Sequence, residues 1–122
     1  MKREPFILCI DDNADACEVL GHLMKPVGFE VISHPTGRDA IEAARQRNFS
    51  LVISEYVLAD SDAVDILGEL KKIDPHLPVV YYSTESRTHH RERMMLAGAS
   101  AFLVKPMDIS NIEQAVKDFA LA

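Results

Sequence analysis

The chain has 122 residues, 48% of them hydrophobic and 26% charged, with a formal net charge of −6. That bounds it to one domain spanning 1–122 with a single sizeable core; the acidic balance weighs against direct nucleic-acid binding. No apolar run approaches the ~20 residues needed to cross a bilayer, and the strand-length apolar segment after the basic Met1 to Pro5 is too short for a signal peptide, so a cytoplasmic protein without a membrane partner is expected.

Phe6-Ile7-Leu8-Cys9-Ile10 is an uninterrupted apolar run ending on Asp11-Asp12, and reads as a central strand. Asn13 is placed to cap a helix with Ala16, Val19, Leu20, Leu23 and Met24 on its apolar face, stopped by Pro26 and Gly28. Cys9 and Cys17, eight positions apart, match neither a disulfide framework nor a metal spacing and read as packed thiols. Glu30 to Ser33 is a second strand. Thr36, with Asp39 three residues on, opens a second helix whose Ala40, Ile41 and Ala44 face inward. Leu51-Val52-Ile53-Ser54 is a third strand, branched and apolar, ending abruptly on Glu55.

A loop from Tyr56 to Ser61 leads into a third helix from about Asp62 to Ile73, carrying Val64, Ile66, Leu67 and Leu70 inward. Pro78 to Tyr82 is a fourth strand, with Tyr81 and Tyr82 on opposite faces, and it ends on Ser83-Thr84. A fourth helix runs from about Arg87 to Leu96 and closes at Gly98. Its Met94 and Met95 read as core and interface filler. Neighbouring His89 and His90 should diverge by about 100° on a helix, which argues against a metal pair. Ala101 to Val104 is the fifth strand, ending on Lys105-Pro106. Asp108, or Ser110 with Glu113, begins a last helix with a stripe of Ile109, Ile112, Val116 and Phe119.

Five strands alternating with five helices predict an α/β fold, a flavodoxin-like doubly wound parallel sheet in the order 2-1-3-4-5. The ends of its strands share one crevice, so Asp11, Asp12, Glu55, Ser83 and Lys105 should converge there. Clustered carboxylates need an offsetting cation, and Mg²⁺ suits oxygen ligands. Carboxylates, a divalent metal, a hydroxyl and an ammonium are the parts that hold or move a phosphoryl group. There is no P-loop, dinucleotide fingerprint or nucleophile elbow.

On these residues, and on the run Ala97 to Pro106, the chain resembles the receiver domain of bacterial response regulators over essentially its whole length. The resemblance implies a two-component signalling module. In that family an aspartate ending strand three attacks a phosphoryl group with Mg²⁺ bound, while the hydroxyl and lysine, here Ser83 and Lys105, hold the product. It further implies an inward aromatic on strand five, here Phe102, and a cis Lys105–Pro106 bond. The metal ligands it implies are Asp11, Asp12, the residue at position 55 and the backbone carbonyl of Val57. Partners would be a histidine kinase, an output domain or another signalling protein. The fourth helix, fifth strand and fifth helix would be the face for output or for a homodimer.

The departure from the family falls on the phosphoacceptor position, which holds Glu55. Ala59 stands where proline is usual, Ala63 where glycine is usual, and Thr84 where a small residue leaves a path to the site. Glutamate carries its carboxylate about 1.3–1.5 Å further out, one C–C bond. In-line attack loses of order 10²-fold for a ~1 Å misplacement. The longer side chain could instead pair with Lys105 or accept from Ser83. The leading expectation is a pseudo-receiver, not an enzyme, that binds Mg²⁺ weakly and signals through protein contacts. The alternatives are a constitutively active-like module with Glu55 mimicking the phosphorylated aspartate, or a residual Mg²⁺-dependent phosphotransfer or phosphatase catalyst. Arg87, Arg91 and Arg93 form a basic patch read either as a docking surface or as a solvated helix face. Whether the chain stands alone or belongs to a longer regulator is open.

Overall fold

The computed structural model describes residues 5–106 and 108–121. Its strands are β1 (Phe6–Ile10), β2 (Glu30–His34), β3 (Leu51–Ser54), β4 (Val79–Ser83) and β5 (Ala101–Val104). They form one parallel sheet in the order β2-β1-β3-β4-β5, the doubly wound arrangement expected. The connecting helices are α1 (Ala14–Met24), α2 (Gly37–Gln46), α3 (Ala63–Ile73), α4 (Thr88–Ala97) and α5 (Ile109–Phe119), with a 3-10 turn at Lys25–Val27.

Every residue of β3 and β4 is buried, which is why these strands read as continuous apolar runs and not as alternating ones. The two faces of the sheet feed separate cores. Leu8, Val52, Val79 and Tyr81 pack with α2, α3 and Met94 of α4 on one side. Ile7, Cys9, Leu51, Ile53 and Tyr82 pack with α1 and α5 on the other. Each fully buried Leu or Ile contributes about 1.5–3 kcal/mol relative to exposure.

The helix starts follow their caps. The Asn13 side chain accepts from the Ala16 N–H at 3.1 Å, Thr36 from Asp39 at 3.1 Å, and Asp62 from Val64 at 2.9 Å. Gly98 closes α4 at φ 113°, a left-handed conformation that suits glycine. The Lys105–Pro106 bond is cis.

Several expected details are corrected. The buried line of α1 is Cys17, Leu20 and Met24, whereas Val19 and Leu23 are exposed. Those two lie one helical position, about 100°, to the side of the contact line. Ile109 shares the stripe of α5 but lies in its first turn, beyond the cover of the core, and is exposed. Ser110 is inside α5 and does not cap it. Asp108 precedes the helix, and its carboxylate accepts instead from the Val104 N–H at 2.8 Å and the Asn111 side chain at 3.1 Å. No helix among the described residues is long and apolar enough to cross a membrane.

Candidate functional site

The register of the sheet sets the site. Ile10 of β1 lies beside Ser54 of β3, and the Glu55 N–H continues the ladder to the Ile10 carbonyl at 2.8 Å. Glu55 and Asp11 therefore leave the sheet together. Ser83 of β4 lies beside Val104 of β5, and the Lys105 N–H donates to the Ser83 carbonyl at 2.8 Å. Four strand ends thus deliver Asp11, Glu55, Ser83 and Lys105 to one place.

The Glu55 carboxylate is the hub. Its Oε1 accepts from the Ser83 hydroxyl, from the Tyr56 N–H at 2.8 Å and, more weakly, from the Val57 N–H at 3.4 Å. Its Oε2 lies 3.2 Å from Lys105 Nζ. The same ammonium reaches Asp11 Oδ2 at 2.5 Å, and Asp11 Oδ1 accepts from the Asn13 N–H at 2.9 Å. Ser83 Oγ also accepts from the Glu85 N–H at 3.0 Å. Side chains of Asp11, Glu55 and Lys105 are only 5, 10 and 13% exposed, so these charges interact with little solvent screening. Burial works against the charged lysine, but the hydrogen bond and charge of Asp11, reinforced by Glu55, outweigh it and raise the Lys105 pKa.

Asp12 is exposed at the rim, where it lines a cleft of about 670 Å³ between α1 and β2. Thr84 and Val57 are exposed. The oxygen donors suit a hard cation by type. By arrangement they do not make a ready site: Lys105 already bridges Asp11 and Glu55, and among the described residues no three acidic, His or Cys groups are gathered to hold a metal.

Of the basic patch, Arg87 pairs with Glu85 at 2.8 Å and Arg93 grips Asp62 at 3.0 Å, both within the molecule, while Arg91 points into solvent. Arg93 also donates to the Tyr56 hydroxyl at 3.1 Å, and that hydroxyl meets His90 Nδ1 at 2.7 Å. The His89 and His90 rings do not diverge. They lie 4.0 Å apart, because planar side chains in a helix's first turn can swing across the angle between their Cβ bonds. Phe102 is buried, stacked on Tyr81 at 5.9 Å and tilted against Tyr56 at 5.8 Å. The part played by Tyr56, Asp62 and Glu85 was not foreseen. Tyr56 beside Glu55 was the available signal, but its partners lie 34 and 37 residues away.

A family model described as the response regulator receiver domain matches residues 7–117. The transcriptional regulatory protein ZraR of Escherichia coli O157:H7 is 34% identical over 116 residues, covering 95% of this chain and 26% of its own. The luminescence regulatory protein LuxO of Vibrio campbellii is 26% identical over 109 residues, covering 89% and 24%. The chain therefore spans about a quarter of the length of these relatives. Among solved structures, a receiver domain protein from Clostridium thermocellum superposes with a TM-score of 0.87 at 23% identity, covering 97% of this chain and 95% of that one. The chemotaxis protein CheY4 of Vibrio cholerae gives 0.84 at 20% identity, covering 93% and 97%. These two likenesses speak to the fold.

Proposed function

The chain belongs to the response regulator receiver domain family of two-component signalling, and from that premise we propose that it is a pseudo-receiver, one that does not undergo ordinary aspartyl phosphorylation and signals through protein contacts. Glu55 stands at the position of the family's phosphoacceptor. The observation that carries the reading is that its carboxylate already holds both the Ser83 hydroxyl and the Lys105 ammonium. A phosphoryl group arriving at this end of the sheet would have to break both contacts, and attack would start from a carboxylate with one oxygen committed to three donors.

The domain on this reading is not an enzyme. Mg²⁺, where a receiver binds it, supplies positive charge to phosphoryl oxygens. Here Lys105 supplies that charge to Asp11 and Glu55, so Mg²⁺ binding involving Asp12, Glu55 and the Val57 carbonyl is expected to be weak. Partners would be a histidine kinase, an output domain or another signalling protein, with α4, β5 and α5 as the face for output or homodimer contact.

A second reading, that Glu55 mimics the phosphorylated state, is favoured by a specific feature. The hydroxyl and lysine are engaged together while Phe102 is packed inward. A carboxylate is an imperfect stand-in, with one negative charge against the ~1.5–2 of a phosphate.

Intact-mass measurement after incubation with acetyl phosphate and Mg²⁺, on wild type and Glu55→Asp, tests these readings. Wild type is expected to gain no phosphoryl mass; labelling of the wild type overturns the pseudo-receiver. If Glu55→Asp alone is labelled, glutamate by itself blocks a competent crevice, and the phosphate-mimicking reading gains. Partner binding by Glu55→Asp and Glu55→Gln then measures the mimicry. If neither is labelled, the site has decayed more widely, and the pseudo-receiver is favoured over the mimic.

A further inference from the structure

Two side chains of the second core play no part in the site described. Cys9 and Cys17 are both free thiols, and their sulfur atoms lie 3.6 Å apart. Cys9 is on β1 and enclosed at 1% exposure; Cys17, on the buried line of α1, is 8% exposed. Cys17 also borders the cleft of about 670 Å³ between α1 and β2, whose walls include Ser33, Val31, His22 and Lys25. Its sulfur meets the Asp11 carbonyl oxygen at 3.6 Å on the inner side. Cys17 therefore borders an open cleft, and Cys9 is enclosed directly behind it.

We propose that Cys17 is an oxidation site for small hydroperoxides, with Cys9 as its resolving thiol, so that the folded domain takes up a reversible Cys9–Cys17 disulfide. A cleft of this size admits hydrogen peroxide or a small alkyl hydroperoxide. In the first step the Cys17 sulfur, its proton released to water, attacks the peroxide O–O bond. A sulfenic acid forms at Cys17, and alkoxide or hydroxide leaves and takes up a proton. In the second step the Cys9 sulfur attacks the sulfenic sulfur. The S–S bond forms, and the leaving hydroxide takes the Cys9 proton as water. Two thiols and one hydroperoxide thus give one disulfide, one alcohol (water, from hydrogen peroxide) and one water. Proximity makes the second step intramolecular, which is what separates a reversible modification from progression to sulfinic acid. The bond would join the first half of α1 to the strand that ends just before Asp11.

The reduced 122-residue chain is treated with hydrogen peroxide, quenched, denatured, alkylated with N-ethylmaleimide and weighed intact. The expected product has lost two hydrogens, takes up no maleimide, remains monomeric without reductant and returns to two maleimides after dithiothreitol. Cys9→Ser is expected to accumulate a Cys17 adduct with dimedone, and Cys17→Ser to react about tenfold more slowly than wild type, because Cys9 is shielded. Should either variant fail to fold, peptide mapping of the oxidised wild type locates the bond without it. Two maleimides after oxidation, a doubled mass, pairing that occurs only in urea, or Cys17→Ser reacting as fast as wild type would each overturn the proposal.

Discussion

Lys105 is the residue on which the charge balance of the site rests. Without it, Asp11 and Glu55 face each other at a buried sheet end with no cation between them. Lys105→Met is therefore expected to destabilise the fold by about 3 kcal/mol, since removing one member of a buried ion pair strands the other. Urea denaturation measures this, and Mg²⁺ added to the variant should restore part of the loss by taking the lysine's place. Wild-type stability that survives Lys105→Met unchanged would show the contacts to be incidental, and submicromolar Mg²⁺ affinity in the wild type would contradict the weak binding expected of it. The identities at this site were legible in the sequence because each ends a strand, and strand ends in a doubly wound sheet share one rim. What was not legible is how the partners divide. Asp11 and Asp12 are adjacent and chemically identical, yet side chains alternate direction as a strand ends, so one turns into the crevice and the other to solvent.

Among the helices, α4 is held most lightly. Of its ten residues, all among those described, Met94 alone is buried, while Leu96 is 90% exposed. Its ties to the rest of the molecule besides Met94 are surface contacts, chiefly Arg93 with Asp62 and Tyr56 with His90. An exposed ion pair is worth about 0–1 kcal/mol, whereas truncating a buried methionine costs about 2–5 kcal/mol. Arg93→Ala should barely shift the urea midpoint and Met94→Ala should shift it strongly. Amide exchange should be faster along α4 than along α2 or α3, each of which buries four residues. Equal protection across the three would remove this ranking. Element types and caps followed from local chemistry, as with Asn13, Thr36 and Asp62. The errors arose where a helix meets the sheet: apolar positions 16, 19, 20, 23 and 24 of α1 span a wide arc, and only packing decides that 17, 20 and 24 are its centre.

At the scale of the whole molecule, one sheet is the common wall of two cores. Adjacent residues such as Tyr81 and Tyr82 insert into opposite ones. Both cores are built on that wall, so the chain is expected to unfold as a single cooperative unit. With no tryptophan and three tyrosines in the chain, tyrosine fluorescence reports locally and far-ultraviolet circular dichroism reports globally. Their urea transitions are expected to coincide. Separated midpoints would mean that the faces unfold independently. The layer order was readable from the βα rhythm. The pairing of the Cys9 and Cys17 sulfurs was not, because a spacing of eight residues across a strand, a turn and a helix start has no fixed distance until the fold is built.

Glu55 also bonds to the backbone just behind it. The oxygen that takes the Ser83 hydroxyl takes the N–H groups of Tyr56 and Val57 as well, so the side chain fastens the beginning of its own loop. In evolutionary terms this makes the position hard to change alone. Any exchange here alters the reach of one carboxylate and the template of the following turn in a single step. Changes in that loop would be selected against that template, and a new side chain at 55 would enter a setting already shaped around glutamate.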